Sequence, residues 1–449
     1  MRIQLSDHFT YKKLLRFVIS PILMMICTSL YEIVDGFFVS NYVGKTPFAA
    51  VNLIMPVCMA FGTTGIMIGT GGSAVVSKTL GEGKSGEANQ YFSMLVYFAT
   101  GLSLLLSVTG FVFARPISAA LGAEGELLES AVLYSRILAF GLTAFVLQNV
   151  FQSFFVTAEK PGLSLKMSLL AGGTNMVLDY LFVAVFHWGL AGAAIATVTG
   201  QIAGGIIPLI YFARKNDSLL RLTRTGLYGQ VLLKTFGNGA SEMVTNLSTS
   251  IVNILYNFQL MKLAGENGVA AYGIIMYVNF MFMAIYFGYA IGSGPVVGYH
   301  YGAGNHKELK NLFRKSLVLM GGAGLVLTVL AEMLTGPLVA VFAGYDAELF
   351  EMTRHGFRLY ALAFSVMGIN VWASAFFTAI GNGSVSAAIS FVRTFVFQIA
   401  MVAILPVFLG MDGIWLAIVA AELLALVVTV GFLSCEKERV ALMRKSALS

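Results

Sequence analysis

Charge is scarce in this chain. Only 11% of its 449 residues are Asp, Glu, Lys or Arg, against roughly 25% in soluble domains, and no stretch between its apolar runs is long enough to make a soluble domain. Cysteine is scarcer still. Cys27, Cys58 and Cys435 are scattered, which argues against a disulfide framework and against a cysteine metal site. The five histidines fall near helix ends and loops and receive no role. A nucleotide-binding loop is also missing. "GEGKS" at 81–85 looks like the end of one, but the motif needs glycine at position 78, where Lys78 stands, and no strand precedes it. With nothing to hydrolyse ATP, any uphill movement of a solute has to draw on an ion gradient. The opening "MRIQLSDHFTYKKLLRF" is not read as a secretory signal, because no small-residue cleavage site follows its apolar run.

What the chain has in abundance is apolar sequence: 57% hydrophobic residues and a mean hydropathy of +0.81. Runs of about 20 apolar residues recur, each long enough to cross a hydrocarbon core of about 30 Å. Hydropathy and turn signals predict twelve spans: 15–43, 48–80, 91–112, 131–157, 162–186 and 190–212, then 235–263, 269–299, 312–334, 353–380, 385–408 and 414–432. The fold expected is an all-α polytopic membrane protein with twelve transmembrane helices in two pseudo-symmetric six-helix bundles. The halves cover 1–213 and 235–449, the second ending in a short tail, and a linker at 214–234 joins them. With the N-terminus inside, 21 of the 28 Lys and Arg residues lie in or beside cytoplasmic segments. Six fall outside or near the outer face (Lys45, Arg115, Arg136, Lys262, Arg354, Arg358) and one, Arg393, falls deep within a span. That bias places both termini in the cytoplasm. It also accounts for the net charge of +6 without nucleic acid.

The halves repeat. "LGEGKSGEANQYF" (80–92) aligns with "YGAGNHKELKNLF" (301–313) at an offset of 221, which also pairs Gly44 with Gly265 and Val75-Val76 with Val296-Val297. Phe154-Phe155 meets Phe376-Phe377 at 222. Six spans per half is an even number, so both halves enter from the same side as parallel repeats. Transporters built this way bind solute between the repeats, near the midplane.

Acids inside spans cost roughly 2.5–3.5 kcal/mol each on insertion scales and therefore call for partners or a function. The first half carries Glu32, Asp35 and Asp179. At 1.5 Å per residue from the outer helix ends, Asp35, Asp179 and Thr197 lie about 12–13 Å deep on three different helices, and Glu32 and Asn175 about 18 Å deep. Asn175 and Asp179 share a helix face at i,i+4, as Glu32 and Asp35 do at i,i+3. These five residues are expected to meet in one pocket. Burial there disfavours the charged form of a carboxylate, so the pocket can take up a proton; its carboxylate, amide and hydroxyl oxygens equally suit Na⁺. Either ion neutralises the site and so favours one conformation over another.

"YEIVDGFFVSNYVG" (31–44), "GAAIATVTGQ" (192–201) and "GAGN" (302–305) resemble the multidrug and toxic compound extrusion (MATE) transporters, most closely the bacterial MepA-like and DinF-like branches. The resemblance runs over all twelve spans. It implies an Asp on span 1, Asn and Asp on span 5 and Thr on span 6 as the ion site, which here are Asp35, Asn175, Asp179 and Thr197. It also implies antiport of drugs or cations against H⁺ or Na⁺, with no cofactor. Another branch of the family uses an acid on span 10. This chain has no Asp or Glu at 355–408, and the positions at offset 221 from Glu32 and Asp35 hold Asn253 and Tyr256. Ion coupling is therefore assigned to the first half.

In the second half Glu242, Asn246, Asn253 and Asn257 recur on one face of span 7, read as cavity lining, with Glu242 facing cationic substrates. Tyr272, Tyr277, Tyr286 and Tyr289, with Met276, Met281 and Met283, would form an adaptable apolar wall. Arg393 and Glu422 fall at nearly one depth on spans 11 and 12, joined by "GMDG", and are expected to form a structural ion pair. The function expected is a monomeric, non-enzymatic inner-membrane antiporter that expels small amphipathic, cationic compounds. Two rivals are a lipid-linked oligosaccharide flippase, disfavoured because a diphosphate needs several Lys or Arg in the cavity, and a membrane-embedded transferase, for which no motif occurs.

Overall fold

Hydrophobicity spread all round a helix drives it into lipid rather than into a soluble core, and the fold follows that rule. The computed structural model describes residues 3–344 and 346–446, and among these every regular element is a helix. In chain order they are α1 (Tyr11–Tyr42), α2 (Lys45–Gly81), α3 (Ser85–Val112), α4 (Gly125–Thr157), α5 (Pro161–Asp179) and α6 (Gly189–Ala213). A continuous helical run, Gly229–Gly302, follows. At 1.5 Å per residue its 74 residues would span about 110 Å, far more than one crossing. It is broken at Gly265, whose φ of 61° and ψ of −148° are not helical, so 229–264 is α7 and 266–302 is α8. Then come α9 (His306–Ala343), α10 (Ala347–Ala361 and Phe364–Ala379, bent by 51°), α11 (Gly383–Phe391 continuing through Phe397–Leu409) and α12 (Met411–Ser446). A short helix, Ala114–Ala120, lies between α3 and α4.

Twelve crossings were expected and twelve are found once the Gly265 break and the α10 bend are counted so. Boundaries differ. Hydropathy puts a loop at 264–268, but a single left-handed glycine makes that turn. It also ends the last span at 432, whereas α12 runs on to 446, and it begins span 7 at 235, whereas the helix starts at Gly229. Polar residues extend these helices beyond the bilayer, where hydropathy no longer registers them.

The repeat has a backbone signature. Left-handed φ occurs at Gly44 and Gly265, at Gly83 and Gly304, and at Gly189 and Gly410, each pair at offset 221. Glu159 (φ 60°) and Gly381 (φ 83°) form a fourth pair at 222. These are the tight reversals between helices. A left-handed residue there lets two antiparallel helices join with almost no loop, at little cost when it is glycine.

The outside of the bundle is apolar. On α3, Leu104, Leu105, Val108 and Val112, and on α9, Leu325, Val326, Val329 and Met333, are all more than half exposed, an arrangement soluble proteins avoid and lipid rewards. Inside, one core cluster is built almost wholly from the second half with Leu5, Phe9, Leu14, Phe17, Val18 and Val156 added, and two others from the first half, one of them joined by Leu220 of the linker.

The halves touch through glycine. Side-chain carbon on Gly71 of α2 would collide with the Thr235 carbonyl and Gly239 of α7, and on Gly239 with the Met67 carbonyl. On Gly81 it would collide with the Tyr299 carbonyl, and on Gly302 with the Lys78 carbonyl. Gly288 and Gly292 of α8 press in the same way on Ile22 and Val18 of α1. All these approaches lie toward the end of the bundle that carries the two chain termini.

Candidate functional site

Helix α1 carries Glu32 and Asp35 past α5 and α6, because glycines let the three backbones close up. Gly172 of α5 sits against the Tyr31 ring, and Gly200 of α6 against the Ala171 carbonyl and Asn175 of α5. The cavity left between them holds ≈ 220 Å³. Its wall includes Glu32 and Asp35 from α1, Asn175 from α5, Thr197 from α6, and Gln148 from α4.

Asp35 faces the side chains of Asp179, Asn175 and Thr197. Asp179 does not line the cavity; it stands behind the wall, fully buried. Four of the five residues expected at one pocket thus reach its surface, and the fifth backs them. Asp179 is the last residue of regular α5 and is followed by a wider turn, Tyr180–Val185, with π-helical hydrogen bonding. Such turns rotate the side chains around them and recur at functional sites.

The polar atoms here are unsatisfied to an unusual degree. Asp35 Oδ1, both Asp179 oxygens, and both ends of the Asn175 amide are buried without a hydrogen-bond partner of good geometry. Thr197 Oγ1 donates to its own helix at Ala193 O, 3.0 Å away, so it turns lone pairs rather than a proton toward the carboxylates. Buried polar groups are ordinarily paired. Two carboxylates, an amide and a hydroxyl that present oxygen to one small volume make a site for a positive charge. Among the described residues no group of three or more His, Cys, Asp or Glu side chains is placed to hold a metal ion; this site has two carboxylates and neutral oxygens.

Tyr31, Gln148 and Gln201, all on the cavity wall, were missed in the sequence. Gln148 and Gln201 do carry a signal, as amides deep inside apolar spans, but an amide costs less to bury than an acid and so stands out less.

The second half is arranged differently. Arg393 Nη1 lies 3.3 Å from Glu422 Oε1, and both side chains are buried. Asn370 of α10 donates to Glu422 Oε2 at 2.7 Å and to its carbonyl at 3.0 Å. Arg393 sits inside the wide turn Val392–Val396 that interrupts α11. A ladder of hydroxyls continues toward the terminal end: Ser374 Oγ meets Ser390 Oγ at 3.0 Å and Ser386 Oγ at 2.8 Å, Ser386 meets Thr378 Oγ1 at 2.8 Å, and Thr378 donates to Asn238 O of α7 at 3.2 Å. Glu242 lies within electrostatic reach of Arg393, though no hydrogen bond joins the two. Of the α7 stripe, Asn246 donates to the Glu242 carbonyl at 2.9 Å, Asn253 accepts from Tyr272 Oη at 2.7 Å, and Asn246 and Asn257 are exposed. Tyr277 is half exposed and stacks on Phe342 of α9 with ring centres 6.0 Å apart. Met281 is half buried. Tyr286 and Tyr289 are core residues that bond Phe364 O and Ser316 Oγ at 2.7 Å.

A duplicated bundle of twelve apolar helices, closed at one end and carrying a buried cluster of unpartnered carboxylate and amide groups in one half, is the build of a membrane transporter rather than of an enzyme. The MatE family profile matches residues 21–181 and 242–404; the chain belongs to the MatE family. Over 420 residues it is 22% identical to the multidrug export protein MepA of Staphylococcus aureus, with 93% of this chain and 92% of that protein covered. MepA of Staphylococcus haemolyticus is 21% identical over 413 residues, with 92% and 90% covered. Among solved structures, a MATE transporter in complex with MaL6 superposes with a TM-score of 0.92 at 23% identity, and an outward-facing multidrug resistance MATE transporter with 0.89 at 24%, each covering 98% of both chains.

Proposed function

We propose that this protein is an ion-coupled efflux antiporter for small amphipathic organic cations, with H⁺ or Na⁺ bound at Asp35, Asn175, Asp179 and Thr197. One observation carries the reading: two buried carboxylates face each other with most of their oxygens unpartnered. Placed so, they repel, and a single positive charge between them relieves the repulsion and supplies the missing partner. A cation substrate that enters the cavity by Glu32 and Asp35 competes for the same negative charge. Ion and drug therefore exclude one another, which is what antiport requires.

The MepA relatives' multidrug export supports the substrate class. In this reading the protein is a monomer of the bacterial inner membrane with both termini cytoplasmic. The end closed by the glycine contacts is then the cytoplasmic one. The halves, 1–213 and 235–449, rock about it in alternating access. The oligosaccharide flippase fits less well: the one arginine deep in a span, Arg393, is engaged by Glu422 and leaves no cationic cradle for a diphosphate.

The test is dye efflux from proteoliposomes holding purified protein. Efflux should collapse with a protonophore or on Na⁺ removal, whichever names the ion, and Asp35→Asn should abolish it at unchanged folding. Efflux indifferent to both ion gradients, or intact in Asp35→Asn, overturns the proposal.

A further inference from the structure

A second cavity, of ≈ 30 Å³, adjoins the first. Cys58, Leu138 and Leu142 line both. Beyond them it is walled by hydrocarbon from α2, from the short helix that follows α3 and from Ala139 of α4, notably Val57, Phe61 and Ile117, while α3 offers only the backbone of Gly110; the only other heteroatom side chain in its wall is Ser135 of α4. The first cavity takes its acids, Glu32 and Asp35, from α1, and from α2 and α4 mostly apolar side chains such as Met55 and Leu142, with Cys58 and Gln148 the polar exceptions. Charge lies at one end, then a partition of one thiol and two leucine side chains, then a largely hydrocarbon chamber.

We propose that the second cavity is an apolar subsite of the ion-binding pocket, and that it takes the end of a hydrocarbon chain whose cationic head lies by Glu32 and Asp35. The inference rests on the cation-efflux reading and makes it specific. A small spherical cation fills only the acidic end. An alkyl-substituted quaternary ammonium or pyridinium reaches across Cys58, Leu138 and Leu142 into the chamber. Since about 10–15 Å³ of such space holds one water-sized group, the chamber admits two or three methylenes. Each methylene so buried strengthens binding about fourfold, and the gain levels off once the chain has filled the walled part of the chamber and emerges from its open side. Gly110 of α3 adjoins it with room to spare: a Cβ there meets only Phe61 Cε2, at 3.9 Å. Its backbone is helical, so a larger residue is sterically allowed and would fill the space.

The experiment uses alkyltrimethylammonium ions of increasing chain length on the purified full chain. Affinity is read by competition against a transported dye. In the Cys27→Ala, Cys435→Ala background, where Cys58 is the sole thiol, the rate of Cys58 alkylation by a small maleimide is followed as well. The expected result is a rise of about fourfold per methylene over two or three consecutive carbons near the top of the series, then a plateau. Over the same carbons Cys58 should become protected. Gly110→Leu should flatten that rise. If Gly110→Leu does not fold, Ser135→Cys in a background without other cysteines decides the matter, because Ser135 lines the second cavity and not the first and should be protected by long but not by short chains. Affinity that climbs without a plateau, or Cys58 reactivity blind to chain length, overturns the subsite. Failure of every member of the series to compete would instead sink the cation-efflux reading itself.

Discussion

Removing Arg393 should cost this protein measurable stability, and removing Glu422 with it should restore most of the loss. The pair is 3.3 Å apart with both side chains buried. At an effective dielectric of about 20 its attraction is about 5 kcal/mol. Arg393→Met leaves the Glu422 carboxylate buried with only Asn370 donating to it, and breaking a buried pair in this way costs about 3–5 kcal/mol. For 449 residues at about 2.1 cal/mol/K each, the unfolding entropy is about 0.9 kcal/mol/K. The expected drop in melting temperature is therefore about 3–5 °C. Arg393→Met with Glu422→Gln removes both charges and keeps a group to accept from Asn370, so it should recover to within about 1 °C of the parent. The charge swap, Arg393→Glu with Glu422→Arg, should recover less, because Asn370 offers its NH₂ to position 422 and would then face another donor. The assay is thermal unfolding of the detergent-purified variants, arranged as a double-mutant cycle. Additive losses in the double variant, or a single variant that melts with the parent, would refute the pair's energetic role.

Other outcomes follow from the same packing. Asp179→Asn should abolish coupled efflux while dye binding persists, because Asp179 backs the cavity wall without lining it; loss of dye binding at unchanged folding would place it in the substrate site. Glu32→Gln should lower efflux only several-fold, as measured in the same vesicles, since the carboxylates that face each other are Asp35 and Asp179. Glu242→Gln should weaken cations no more than neutral substrates, given that Glu242 lies within electrostatic reach of Arg393; a selective loss for cations would restore it to the substrate path. Gly302→Val should wedge the terminal end open, so that Ser77→Cys, at a position fully buried now, becomes labelled from that side in a background without other cysteines.

The crossings were legible because lipid demands length and apolarity, and their count survived in the structure. Of the reversals, Gly44 and Gly265 stood out as a repeat pair and Gly83 and Gly304 fell inside the aligned stretches 80–92 and 301–313, but nothing marked Gly189 and Gly410 as their counterparts. Gly265 was recognised as a repeat position, but the one-residue break it makes was not, since sequence alone does not say that a left-handed glycine replaces a loop. The wide turns at Tyr180–Val185 and Val392–Val396 and the bend of α10 were invisible. They arise where packing against neighbouring helices outweighs local hydrogen bonding, and no residue type encodes them. In the site, helix rise was enough to place Asp35, Asn175 and Thr197 together. It could not place Asp179 behind the wall, because depth along an axis carries no rotation. It likewise gave Arg393 and Glu422 a common depth but left Asn370, the group that holds Glu422, unread on α10.

The contact of Gly81 with the Tyr299 carbonyl and that of Gly302 with the Lys78 carbonyl are one contact written twice, since 78 and 299, like 81 and 302, stand 221 apart. An interface of that kind is isologous, the sort that two copies of one subunit make about a twofold axis. The covalent link between the halves is then incidental to the join: the patch on each half is shaped to receive its own image. Such a join also constrains how the two halves diverge. Cavity walls and charged clusters are free to differ, as Asp35 and Tyr256 do, but neither half can add so much as a methyl group at this seam without the other giving way.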